Sequence, residues 1–282
     1  MKEKNLSEKK KHGAGYYVAL VVMLVGTLTV LVPIYWMVVS SLKSQTELMQ
    51  MPPTFWPQKM EFSNYARVFE QMPFGRYYFN SVVTALLNTV MGVFTSALSG
   101  YVFAKYQFKG RELLFWLLMA CMMIPYDTLM IPLYRIMVGF GWTNTYLVLT
   151  VPYFVNIFGM FLMRQFMQDI PTDYIEAAEI DGCSQYRTFF SVIFPMVRPA
   201  AAALCIFLFM ASYNSFLWPL ISVNSRDLFT LPVGMSALNS DRGSQMDLMM
   251  ACATMVVAPV CVIFALAQKN FVAGLTMGGV KG

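Results

Sequence analysis

From Tyr16 to Ser41 the chain runs without one charged side chain. Apolar runs of similar length return at Phe79 to Phe103, Leu113 to Leu133, Tyr146 to Met167, Pro199 to Ser222 and Leu248 to Gln268. At helical rise, about 20 residues cross the roughly 30 Å of a bilayer's hydrocarbon. The predicted fold is therefore an all-α membrane protein with six transmembrane helices. A composition of 57% hydrophobic and 12% charged residues is too apolar for a soluble domain. Pro33, Pro125, Pro132, Pro152, Pro219 and Pro259 lie within or at the ends of the runs, where neighbouring helices can satisfy the freed carbonyls.

Basic residues set the orientation. The Lys-rich start, Lys105 to Arg111, Arg164, Arg187, Arg198, Lys269 and Lys281 share one side if both termini are cytoplasmic, and the opposite side is poorer in Lys and Arg. By the positive-inside rule this predicts an N-in, C-in topology. The net charge of +5 is then a topology signal, and no nucleic-acid partner is inferred. The chain divides into a cytoplasmic tail over residues 1–15, a transmembrane domain over 16–268 and a cytoplasmic tail over 269–282. The first tail carries the only histidine, His12, and is placed near anionic lipid headgroups. The first run lacks a small-residue cleavage site and is too long for a signal peptide, so it is read as a span. The Pro-rich, aromatic segment from Lys43 to Arg76 suits an ordered outer cap at the membrane interface.

One polar interruption stands out, the loop over residues 169–195, DIPTDYIEAAEIDGCSQYRTFFSVIFP. Asp173 and Glu176 are spaced as a D-x-x-E capping box, predicting a helix start near Thr172 or Asp173. Gly182 can adopt the left-handed conformation that ends a helix, Ser184 can cap a second helix, and Pro195 is predicted to stop it. Two short helices joined at a glycine form a cytoplasmic elbow.

Other features are less specific. Gly92, Ser96 and Gly100 form a small-residue stripe that lets helices approach closely. Asp127 at a membrane rim is either a solvated helix end or part of an ion path. Asn156 lies amid apolar neighbours in the fourth run. Asn214 and Trp218 stand four residues apart, on one face of a helix, and either offer an amide and an aromatic surface to a sugar or serve interhelical packing and interface anchoring. The tail's glycines, Gly274, Gly278 and Gly279 among them, suggest close fitting to a partner. One histidine excludes histidine-based triads and zinc clusters. The five scattered cysteines do not suggest a disulfide framework. No G-x-x-x-x-G-K-[ST] occurs, so the chain is not its own P-loop ATPase and is not read as an enzyme.

Glu176-Ala177-Ala178, three residues, Gly182, nine residues and Val192-Ile193-Phe194-Pro195 resemble the EAA loop of ABC importer permeases, with Val192 and Phe194 replacing the usual isoleucine and leucine. Asp181, the Asn214 to Leu220 stretch and the tail from Gln268 to Gly282 resemble the smaller permease subunit of maltose-type carbohydrate importers, with departures at Asn270 and Ala273. The resemblance implies a sugar permease in the bacterial plasma membrane. Its implied partners are a homologous second permease, two cytoplasmic ATPase subunits that bind ATP and Mg, and an external solute-binding protein. Glu176, Ala177, Ala178, Asp181 and Gly182 would dock in the ATPase. Gly274, Gly278, Gly279 and Lys281 would contact a partner, and the chain would hold no cofactor or metal itself. An ion-gradient-driven secondary transporter is the alternative, but intramembrane ionisable residues and a repeated half are wanting. A channel would need a filter or pore ring, of which the sequence gives no sign.

Overall fold

The structure, a computed structural model, describes residues 14–241 and 245–277. The described residues are helical, with no strand among them. In chain order the first helices are α1 (Ala14–Ser40), α2 (Gln45–Leu48), α3 (Ser63–Gln71), α4 (Phe74–Lys105), α5 (Arg111–Cys121), α6 (Tyr126–Gly139), α7 (Tyr146–Thr150) and α8 (Ile157–Gln168). They continue as α9 (Asp173–Ile180), α10 (Gln185–Thr188), α11 (Phe194–Met196), α12 (Arg198–Tyr213), α13 (Leu217–Ser222), α14 (Leu231–Asp241) and α15 (Met246–Met277). Among the described residues, three helical segments are long and apolar enough to cross a bilayer, or up to five if each bent pair counts as one span.

Several apolar runs are broken where the sequence predicted continuous helices. The third bends by 101° between α5 and α6. Pro125 disfavours helical geometry at the residue before it and becomes the N-cap of α6. The fourth passes through a 3₁₀ turn at Val151–Tyr153 before Asn156 caps α8, its side chain accepting from Gly159 N at 2.6 Å. The fifth ends at Tyr213, with Asn214 as C-cap, and resumes as α13. The last helix continues past the expected end at Gln268 and through Gly274.

Residues fall into two units by packing density. In the unit formed by Met1–Val68 and Ser244–Met255, α1 leaves its apolar side chains from Tyr16 to Ile34 exposed. The cap after it is held by buried polar groups rather than by its prolines and aromatics alone. Lys43 is buried, donates to Thr54 O and lies 4.7 Å from the Trp36 ring centroid. Buried Glu47 accepts from Thr54 Oγ1 at 2.7 Å and Gln58 N at 3.0 Å. Asn64 donates to Ser41 O and Lys43 O, and Arg67 pairs with buried Asp247 at 2.8 Å. Each buried charge thus has a partner, as the cost of desolvation requires.

In the other unit, Phe69–Gly243 with Val256–Gly282, α4 packs against α8 and α12. The small-residue stripe makes this possible. A Cβ on Gly100 would meet Met163 Cβ at 2.7 Å and Arg164 N at 2.8 Å, and one on Gly92 would meet Leu208 Cδ1 at 2.8 Å. Gly159 of α8 sits against Ser96 in turn. Around this seam Val93, Ala97, Met163, Met167, Ile193, Ala200 and Leu204 form the main apolar core.

Candidate functional site

The polar loop forms the predicted elbow, with differences in detail. Thr172, not Asp173, precedes α9, and it makes no side-chain cap. Ile175 N and Glu176 N bond instead to Thr172 O at 2.8 and 3.1 Å. Asp173 is the first helical residue, so the D-x-x-E box does not form. Asp173 and Glu176 occupy the first turn, where their charge complements the helix dipole.

The end of α9 follows from Gly182. Its φ of +74° is left-handed, and Cys183 N bonds to Ala178 O at 2.9 Å while Gly182 N bonds to Glu179 O at 3.0 Å. This is a Schellman motif, which satisfies the last carbonyls of the helix. A Cβ on Gly182 would meet nothing within 4 Å, so backbone conformation rather than crowding requires glycine here. Ser184 caps α10 by accepting from Arg187 N at 3.4 Å. Pro195 does not stop the second helix. A π turn over Phe189–Ile193, with Phe194 N bonded to Phe189 O, widens the backbone and makes room for the Pro195 ring. Helix persists to Met196, and the chain then bends by 82° into α12.

The elbow has an inner and an outer face. Ile175 and Ala178 turn inward, Ala178 being only 6% exposed. Ala178 therefore seats the elbow on its own chain, whereas Glu176, Ala177, Asp181 and Gly182 are exposed. Beside them Ile180 is 87% and Tyr186 76% exposed. A short helix carrying carboxylates, a bare alanine and uncovered apolar groups is chemically suited to a partner's groove.

The end of α4 holds this elbow, through Lys105, which the sequence placed only as a topology charge, and Tyr106, which it did not mark. Lys105 donates to Ile170 O just before α9, and Tyr106 OH donates to Gln185 Oε1 at 2.8 Å just after Gly182. Tyr101 lies 5.2 Å from Phe189 between ring centroids. Nearby, buried Arg164 stacks on Phe115 at 3.8 Å, donates to Phe103 O at 3.3 Å and approaches Glu112 at 3.6 Å. Lysine and tyrosine at the end of a predicted span were the available signal, but their acceptors lie far along the chain.

Asn214 and Trp218 do not share a helix face, because α12 ends at Tyr213 with Asn214 as its cap and Trp218 lies in α13. Trp218 is buried and donates Nε1–H to Val148 O at 2.8 Å, while Asn214 is exposed. Asp127 is exposed in the first turn of α6. His12, Gly278, Gly279 and Lys281 lie outside the described residues, and Gly274 lies within the α15 backbone. Among the described residues no group of three or more His, Cys, Asp or Glu could hold a metal ion.

Comparison with known proteins places this architecture. Over residues 92–277 the chain matches the model of the binding-protein-dependent transport system inner membrane component. It is 37% identical over 259 residues to the arabinooligosaccharides transport system permease protein AraQ of Bacillus subtilis, covering 91% of this chain and 92% of that one. It is 32% identical over 260 residues to the diacetylchitobiose uptake system permease protein NgcG of Streptomyces coelicolor, covering 91% and 86%. Its fold superposes with a TM-score of 0.82, at 21% identity and over 92% of this chain and 99% of the other, on a chain of a bacterial ABC transporter involved in import of the acidic polysaccharide alginate. On the family match and these identities, the chain belongs to the family of binding-protein-dependent transport system inner membrane components.

Proposed function

We propose that this chain is the membrane-spanning permease subunit of an ATP-driven sugar importer. It receives solute from an external binding protein and couples to a cytoplasmic ATPase through its elbow. The observation that carries the coupling role is the elbow's two-faced construction, seated by Ile175 and Ala178 and presenting Glu176, Ala177, Asp181 and Gly182. Relatives whose names specify sugar transport support the substrate class. A homologous second permease would complete the path, two ATPase subunits would bind ATP and Mg, and bilayer lipid would cover the apolar helices. The proposed topology has six spans, N-in and C-in, with α5 and α6 together forming the third. Asn214 is proposed to face the sugar path with Trp218 fixing the wall behind it, and the tail at Gly274, Gly278, Gly279 and Lys281 to contact a partner.

The test is sugar uptake together with ATPase activity stimulated by loaded binding protein, in the reconstituted importer. Gly182→Val puts a β-branched residue at positive φ, costing about 1 kcal/mol or more, and Glu176→Lys reverses the exposed charge of α9. Both variants should insert and lose coupled uptake. Unchanged ATP coupling in both would overturn the docking role.

A further inference from the structure

In the unit built on α4, a cavity of about 380 Å³ is lined by six polar or aromatic residues, Asn88, Tyr126, Tyr153, Asn156, Ser212 and Ser215, with an apolar remainder. The helix breaks described above converge on it. Tyr126 follows the α5–α6 bend, Tyr153 and Asn156 flank the break between the 3₁₀ turn and α8, and Ser215 lies between α12 and α13. Irregular backbone at membrane depth is tolerated where it is buried or lines a cavity, and interrupted helices mark binding sites in other transporter folds.

We infer that this cavity is a binding subsite for the hydroxyl groups of a neutral sugar. The inference rests on the importer reading and deepens it. Asn88 is 3% exposed. Its Nδ2 donates to Leu149 O at 3.0 Å and Ser212 Oγ at 2.8 Å, while its Oδ1 has no hydrogen-bond partner. A buried carbonyl oxygen without a donor is costly, and a shift of the Asn88 amide that opens Oδ1 to the cavity lets a sugar hydroxyl supply the missing donor. Ser212 Oγ, accepting from Asn88, retains a proton to donate. Tyr153 OH and Ser215 Oγ lie 3.1 Å apart and can each donate and accept. The Tyr126 and Tyr153 rings, with centroids 6.4 Å apart and planes tilted by 36°, offer apolar faces to sugar C–H groups.

The same wall sets the class. None of its residues is charged, so a phosphate or carboxylate entering it would lose hydration without meeting a counter-charge, whereas hydroxyl groups would find matching donors and acceptors. The subsite accordingly selects uncharged saccharides over sugar phosphates and uronates.

The test uses the importer reconstituted with its partner subunits and binding protein. Uptake is measured for arabinotriose and lactose as neutral probes and sn-glycerol 3-phosphate as the anionic one. Wild type should accumulate a neutral probe and discriminate against the anion. Tyr126→Leu and Ser215→Ala, with assembled complex recovered in wild-type amount, should each raise KM for that sugar by about tenfold, the scale of one lost favourable contact. Wild-type KM in both variants, or preference for sn-glycerol 3-phosphate, would overturn the inference while leaving the importer reading intact. Absence of ATP-driven uptake of any probe by wild type would overturn both.

Discussion

Gly100→Ala isolates the glycine seam between α4 and α8. A single added carbon would stand 2.7 Å from Met163 Cβ, 2.8 Å from Arg164 N and 3.1 Å from Met163 C. These atoms belong to the backbone of α8 or lie directly on it, so no side-chain rotation relieves the contact and α8 itself must move. Overpacking costs about 1–3 kcal/mol, and the rigidity of the obstacle puts this site near the upper end. Alanine returns up to about 1 kcal/mol of helix propensity relative to glycine. The net destabilisation is about 2 kcal/mol, or roughly thirtyfold in the folding equilibrium. Gly75→Ala is the control, because a Cβ there meets nothing within 4 Å in the same helix, and it should be neutral or mildly stabilising. Thermal unfolding of both purified variants, followed by tryptophan fluorescence in one detergent, measures the contrast. If Gly100→Ala melts no lower than Gly75→Ala, helix contact at this seam is not limiting and the argument fails.

Trp218→Phe keeps most of the buried ring but strands the Val148 carbonyl, and should cost about 1–3 kcal/mol in the same unfolding measurement. Arg67→Met removes the partner of buried Asp247 and, because the Arg67 side chain is itself 40% exposed, should destabilise the cap by about 1–3 kcal/mol, read as faster proteolysis between residues 43 and 68. Asn214→Ala should lower sugar uptake without lowering recovery of the assembled complex, whereas loss of assembly would assign Asn214 to packing. Cys183 should react with a membrane-impermeant maleimide only in inside-out vesicles, and labelling in intact cells would refute the proposed orientation.

The elbow was legible because its determinants are local. Gly182 and Ser184 act on backbone groups within a few residues, and their chemistry is written in the order of the chain. Apolar runs likewise marked where helices lie, but hydrophobicity is indifferent to breaks. The interruptions at residues 122–125, 154–156 and 214–216 left that signal almost unchanged. Pro125 and Asn156 marked two of them only as possible kinks or polar insertions. Pro195 erred the other way, since a π turn absorbs a ring that would otherwise clash. The cap's charges and the polar cavity were hidden for a different reason. Arg67 meets Asp247, and Asn88 meets Leu149 and Ser212, across sequence distances that no periodicity encodes.

The two hydrogen bonds from the end of α4 flank the elbow, Lys105 to Ile170 on one side of α9 and Tyr106 to Gln185 on the other side of the glycine turn. A segment pinned at one point swivels under load, while one pinned at both ends passes torque to its mount. A push on α9 would therefore be delivered to α4 as rotation, and α4 is the helix against which both α8 and α12 are geared.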